Sequence, residues 1–448
     1  MPKSKRPLQA SVMLLFALSW SDVSSADTAK RPIQDYGGLP RDTGGGGAVA
    51  WVPRIVLYPL WLTSEYVVRR PMGALVKVAE RDQWSQSLVD FFTFGERKQI
   101  SLVPSALLDF GLKPSVGFNL EWKYFLAEKN TMQLHFGTWG PDWIAARATS
   151  RYAVNDRETL GVELSYVRRK DNLFYGMGSS SVSGDEARFQ SNAAEAKLTY
   201  EQKFWRASRF NAQVGARALE FDRGTCCEAP SVSQAIARGR FAAPPGFGDD
   251  YTALFQGVSL VLDTRRERPA SGGGMRVELH GDAVFSPDWR SNNLRRTWLR
   301  YGAFAGGAVD IGGSGRIVSL GVAVEFAEPL LGQIPFTDQV SLGGDRQMRG
   351  YLANRLIDGS SAVATAAYSW PVWVYLDGVA FVDVGNVFGN HLAGVSAELL
   401  RVSAGMGLRS NGDRDSSFEL LVAGGTDTID QGLAPSSFRL VLGSHHGF

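Results

Sequence analysis

From about residue 100 onward, apolar and polar residues alternate in short runs broken by turn-rich stretches. We read about 16 runs of about ten residues, the length a tilted strand needs to cross a bilayer. They fall near 100–109, 115–125, 130–139, 144–153, 159–168, 189–204, 208–222, 251–265, 274–286, 295–310, 315–328, 360–370, 374–385, 397–409, 415–424 and 437–448. In the last run Phe438, Leu440 and Leu442 share one face, while Arg439 and Gly443 share the other, because strand side chains alternate with period two. Lipid outside and a polar lumen inside explain that split. The predicted fold is all-β: a 16-stranded antiparallel transmembrane β-barrel over 99–448, preceded by a short helical segment.

The connections give an independent check. If the N-terminal end of the barrel is periplasmic, the odd-numbered connections face outward. The long ones, 169–188, 223–250 and 329–359, are all odd, and even ones such as 154–158 and 371–373 are short. Short periplasmic turns and long external loops are the asymmetry expected of outer-membrane barrels.

Upstream the pattern differs. Lys3, Lys5 and Arg6 precede an apolar stretch from about Leu8 to Trp20, then Ser24-Ser25-Ala26. This is the order of a secretory signal over 1–26, with cleavage expected after Ala26. Residues 27–50 hold four consecutive glycines, Gly44 to Gly47, and read as a flexible linker. In 51–98, Pro71 suits a first helical position, and Met72, Leu75, Val76 and Ala79 recur at helical spacing.

Composition narrows the picture. After the N-terminal stretch no apolar run is long enough for a transmembrane helix. Fifty glycines with 25 Phe, 13 Tyr and 12 Trp suit a barrel with aromatic girdles. A net charge of +2 argues against a nucleic-acid partner. Cys226 and Cys227 are adjacent and cannot staple separate segments, so they read as a vicinal pair on an exposed loop. The five His are scattered and make no metal pair, and Gly178-Ser179-Ser180-Ser181 lacks the closing Gly of a hydrolase elbow. A membrane-embedded phospholipase is the enzyme reading weighed against this. The expectation is no catalytic residue, no cofactor and no metal.

The stretch Leu342-Gly343-Gly344-Asp345-Arg346-Gln347-Met348-Arg349-Gly350-Tyr351 lies in the long connection 329–359. Here the sequence resembles the BamA-like superfamily of outer-membrane assembly factors, two-partner secretion transporters and related surface antigens. Arg349, Gly350 and Tyr351 match that family's Arg-Gly-Tyr/Phe motif at the tip of a sixth external loop, and the resemblance implies a loop folded into the lumen. Val379 to Phe388 looks like the family's strand with an inward Asp, here Asp383. Asp263-Thr264-Arg265 resembles its mid-barrel strand end, and Asp263 and Arg265 are the residues carried over. The terminal Phe448, with Phe438 and Leu440, resembles the signal that barrel-assembly machinery reads.

Two departures matter. Where the family often has Glu-x-Arg-Tyr-Pro, this chain has Ala367-Tyr368-Ser369-Trp370-Pro371, which leaves Asp383 as the expected partner of Arg349. Residues 27–98 also lack a clear strand set, so periplasmic POTRA domains are not expected there. The expectation is a bidentate Arg349–Asp383 pair in the lumen, with Gly350 allowing a sharp backbone turn.

The resemblance implies a barrel that assists insertion, translocation or secretion of protein or lipid at the outer membrane. It implies outer-membrane lipids, a periplasmic or lipoprotein partner, and the assembly machinery as partners. The alternative is a passive channel or a structural barrel. In the seam between first and last strands, Pro104, Gly443 and Gly447 weaken pairing. The mature chain is expected to sediment with outer membranes and to migrate faster on gels when unheated; recovery as a soluble periplasmic monomer would overturn the reading.

Overall fold

The computed structural model describes Tyr58, Tyr66 and residues 91–222, 224, 226–265, 273–288, 293–311, 315–345, 347–373, 376–410 and 418–444. The signal, the linker, most of 51–90 and Phe448 lie outside these residues. Sixteen strands build the wall: β1 Ile100–Asp109, β2 Ser115–Lys123, β3 Asn130–Thr138, β4 Trp143–Ala153, β5 Glu158–Phe174, β6 Ala187–Trp205, β7 Ser208–Asp222 and β8 Tyr251–Asp263, followed by β9 Gly274–Asp288, β10 Asn293–Asp310, β11 Ile317–Leu331, β12 Ser360–Trp373, β13 Leu376–Phe388, β14 Arg401–Ser410, β15 Phe418–Thr426 and β16 Pro435–Ser444. Each pairs antiparallel with its chain neighbour, and β16 pairs with β1 to close the ring.

The alternation decides the faces. On β5, Leu160, Val162, Leu164 and Tyr166 are exposed on the outer surface. Between them Glu163 points inward and meets Arg147 of β4 at 3.5 Å and Lys197 of β6 at 3.2 Å. Cross-strand pairs of opposite charge suit a wet wall and would be prohibitive in lipid.

The strand readings differ most in β5, expected over 159–168 and observed over 17 residues, whereas β6, expected over 189–204, runs to 19. About 9–11 residues cross the membrane, so both continue past it. The run Arg169-Lys170-Asp171 reads as loop because the alternation lapses there. Beyond the hydrocarbon a strand keeps its ladder without needing an apolar face. A second difference is upstream: Thr93–Phe94 is a short strand paired with Ser101 and Ile100 of β1, inside the segment expected to be helical.

The external connections pack into a dome. Between β7 and β8, helix α1, Val232–Ala237, is closed at its start by a capping box between Ser231 and Gln234. Cys226 and Cys227, expected as a vicinal pair that staples no separate segments, are joined to each other by a disulfide. Phe336, from the connection between β11 and β12, sits among aromatic rings. Its ring centroid lies 5.2 Å from those of Phe174 and Phe189 and 5.8 Å from that of Phe221. Phe336→Ala should empty this cluster at about 3–5 kcal/mol, as for other buried aromatics. The expected result is dome cleavage by added protease with the barrel still heat-modifiable; an unchanged digestion pattern would show that the cluster does not hold the dome.

The loop tip and the strand seam

The connection between β11 and β12 does not stay outside. Val340–Leu342 and Leu356–Asp358 pair as a small hairpin. Leu342, Met348, Tyr351 and Leu356 bury against Val363 of β12 and Val387 of β13. This apolar packing brings the tip, Arg349-Gly350-Tyr351, against the inner wall.

Asp383 is fully buried and accepts three hydrogen bonds: from Thr365 Oγ1 at 2.8 Å, from the Arg349 main-chain N–H at 3.2 Å, and from Arg349 Nη2 at 3.5 Å. The expected pairing is present, but through one long side-chain contact rather than a bidentate fork. The reason lies beside it: the guanidinium carbon sits 3.5 Å from the centroid of the Phe381 ring, one inward position before Asp383. Stacking on an aromatic face holds the cation and competes with the fork geometry. Burial pulls the Arg349 guanidinium below its ordinary value, and the Asp383 carboxylate opposes that shift.

Gly350 serves a purpose other than a turn. A Cβ there would lie 2.0 Å from the Gly424 carbonyl oxygen of β15, so only glycine lets the loop backbone lie this close to the wall. The left-handed residue of the tip is Met348, at φ 51. The Gly350 N–H donates to Ser403 Oγ of β14 at 2.7 Å, and the Gly350 carbonyl accepts from Ser437 Oγ of β16 at 2.6 Å. Tyr351 donates its hydroxyl to the Thr426 carbonyl of β15 at 2.5 Å. One short segment thus bonds to side chains or backbone of β12, β13, β14, β15 and β16, or packs against them.

Two arginines unremarked in the sequence knit the outer end. Arg401 of β14 is fully buried and donates to the carbonyls of Ser179 at 3.2 Å and Ser181 at 2.7 Å. Arg355 donates to Ser181 Oγ at 2.9 Å and lies over the Tyr175 ring. Arg401 also reaches the Asp427 carboxylate at 3.4 Å. The shared partner of the two arginines, Ser181, lies on a distant loop, which no strand pattern reveals. Asp263 and Arg265 form a local staple at the end of β8, with Arg265 Nε and Nη2 reaching Asp263 at 2.9 and 2.7 Å. Their bonds tie the β8–β9 turn and do not reach the loop tip. Phe438 and Leu440 face outward on β16, with Phe438 exposed.

Among the described residues the seam is the wall's shortest joint: β16 and β1 share three residue pairs, Val441 with Asp109, Leu442 with Leu108, and Gly443 with Leu107. β15 and β16 share nine, and β1 and β2 share eight. Beside the ladder, the Phe110 N–H donates to the Leu440 carbonyl at 3.0 Å. At Gly443 (φ +150), a Cβ would meet the Ala106 carbonyl oxygen at 2.3 Å.

Residues 115–412 match the Omp85 superfamily domain. Among solved structures, BamA from Haemophilus ducreyi lacking POTRA domains 1–3 aligns with TM-score 0.52 at 12% identity, over 77% of this chain and 70% of that one. CdiB from Acinetobacter baumannii aligns with TM-score 0.48 at 8% identity, over 77% of this chain and 59% of that one. The likeness to BamA is one of fold. No curated protein matches the chain. The domain match begins at β2 and ends after β14, so the seam strands rest on the structure alone.

Arg349→Ala is expected to assemble and to free the tip, at a loss of about 1–3 kcal/mol for a partly compensated buried pair. New protease cleavage between 340 and 356 is the readout. Arg349→Lys should restore protection poorly, since an ammonium does not lie flat on Phe381. Full protection in the Ala variant would mean that the apolar hairpin alone seats the loop.

Proposed function

Since the chain belongs to the Omp85 superfamily, we propose that its barrel opens laterally between β1 and β16 to insert or secrete a polypeptide at the bacterial outer membrane. The family and the barrel fold support the reading of an outer-membrane barrel involved in protein insertion or secretion. The observation that carries the finer reading is the seam, which among the described residues has three residue pairs between strands whose other edges carry nine and eight. A backbone ladder in lipid has no water to replace its hydrogen bonds. A wall that must part will therefore part where fewest bonds are lost, and an incoming strand could replace the few that break.

The loop folded into the lumen weighs against a passive channel. A pore conducts through water, whereas here the hairpin and tip occupy the space beside β12–β16. The reading assigns the chain no catalytic step. It assigns delivery of the polypeptide to a separate periplasmic or lipoprotein partner, to be sought by affinity purification from native membranes.

A disulfide lock tests the opening. Leu108→Cys and Leu442→Cys occupy paired positions across the seam. In cells lacking the wild-type copy, the oxidised double variant should lose the surface or secreted polypeptides that depend on this protein, measured by mass spectrometry, and reduction should restore them. Normal output from a fully locked barrel would exclude lateral opening.

A further inference from the structure

The seam holds a side-chain device besides its short ladder. Arg439 of β16 points into the lumen, and its side chain is 4% exposed. It reaches across the seam to Asp109 of β1, with Nε 3.0 Å from Oδ1 and Nη2 2.7 Å from Oδ2. This is the two-pronged fork that a guanidinium and a carboxylate form best. The same guanidinium also serves the lumenal loop: Nη1 donates to the Gly344 carbonyl at 2.6 Å and to the Arg349 carbonyl at 3.4 Å, and Nη2 donates to Asp345 Oδ1 at 2.9 Å. One cation thus joins the last strand, the first strand and the loop.

We propose that Arg439 is a transferable clasp, shared between Asp109 and Asp345 when the seam is closed and retained by Asp345 when β1 moves away. The inference rests on the lateral-opening reading above. Its physical basis is the cost of stranding a buried charge. Breaking one side of a buried ion pair is far more costly than never having made it, because the remaining ion is left in a poor solvent. If Asp109 were the sole counter-ion, opening the seam would leave Arg439 stranded. Asp345 removes that penalty, because it rides on the loop whose tip is bonded to β13, β14 and β16 rather than to β1. It stays with Arg439 when β1 leaves.

Asp109 is provided for as well. A cavity of about 500 Å³ between loop and wall is lined by Asp109, Lys113, Arg169, Asp345 and Arg439. Lys113 and Arg169 line the same cavity, Arg169 already paired with Asp171 at 3.0 Å. When the pair breaks, Arg439 therefore keeps Asp345, and Asp109 faces a polar cavity with cationic side chains in its lining. A further consequence is coupling: the seam is secured only while the loop is seated, because the tip's carbonyls and Asp345 fix the orientation of the Arg439 fork.

The two carboxylates should have opposite effects on the seam, which a merely structural role would not produce. In full-length protein in outer-membrane vesicles, the oxidation rate of the Leu108→Cys, Leu442→Cys pair reports how often the seam is closed. Asp109→Asn removes the closed-state partner and should slow cross-linking by about tenfold, the effect of losing roughly 1.4 kcal/mol. Asp345→Asn leaves Asp109 as the sole carboxylate on Arg439, penalises the open state, and should speed cross-linking or raise its yield several-fold. Arg439→Lys, a point charge without the fork, should behave like Asp109→Asn. Heat-modifiability on gels confirms that each barrel has formed; Asp345 is 45% exposed, so its variant carries the test even if Asp109→Asn assembles poorly.

Unchanged or slower cross-linking in Asp345→Asn would overturn the clasp. That outcome is separable from failure of the functional reading, in which the locked barrel retains full output whatever the Asp345 variant does.

Discussion

A backbone amide or carbonyl in hydrocarbon must find its partner within the protein, and the rest of this architecture follows from that constraint. It requires a closed sheet, a closed sheet requires a last pairing, and among the described residues the last pairing is the shortest. The fifteen sequential joints rest on turns that bring their strands together. The sixteenth joins the two ends of the sheet, with three ladder pairs and a side-chain fork. A wall built this way has a defined place of weakness without any exposed edge in the middle of the sheet.

The lumenal loop gives the wall a second kind of asymmetry. Its tip bonds to β13, β14, β15 and β16 and packs on β12, through Asp383, Ser403, Thr426, Ser437 and Val363. These five strands are therefore braced from inside as one body. Among the described residues the tip makes no hydrogen bond to β1, which holds to β16 by its ladder, by the Phe110 N–H just beyond it and by Asp109. The apolar hairpin supplies burial, the polar tip supplies position, and neither is enough alone, since buried polar groups are tolerable only when each meets a partner. Burial also holds the Tyr351 hydroxyl above its ordinary acidity range, so it stays a donor to the Thr426 carbonyl.

Much of the wall was legible from the sequence because the membrane imposes a strict period of two. Leu160 to Tyr166 on β5 and Phe438 to Leu442 on β16 alternate as lipid demands, and strand number and order could be read from such runs. Legibility failed where the lipid stops acting. The outer extension of β5 carries Arg169, Lys170 and Asp171 and reads as loop. The inward face of Asp383 followed from alternation, and Arg349 from its motif. The geometry between them did not follow, because Phe381 also competes for the cation. Arg439 was visibly inward, yet its partner Asp109 sits at the other end of the chain, where no local pattern connects them. Arg401 and Arg355 were opaque because the loop that holds their acceptors, Ser179 and Ser181, lies 174 residues or more away in the chain.

The fork between Asp109 and Arg439 joins residues 330 apart in sequence. Nearly all other wall contacts form between neighbours in the chain and can be laid down in order as the strands arrive. This one must wait until every strand is in place, and so must the seating of the tip, whose acceptors lie on the last strands. Contacts of such long range are slow to find, since the chain entropy of closing the loop is lost before the contact forms. A nascent barrel therefore passes through a stage in which two opposite buried charges, at its two free edges, have not yet met. Completing the sheet and neutralising its edges are the same event, so an unfinished barrel carries a polar mark that a finished one lacks.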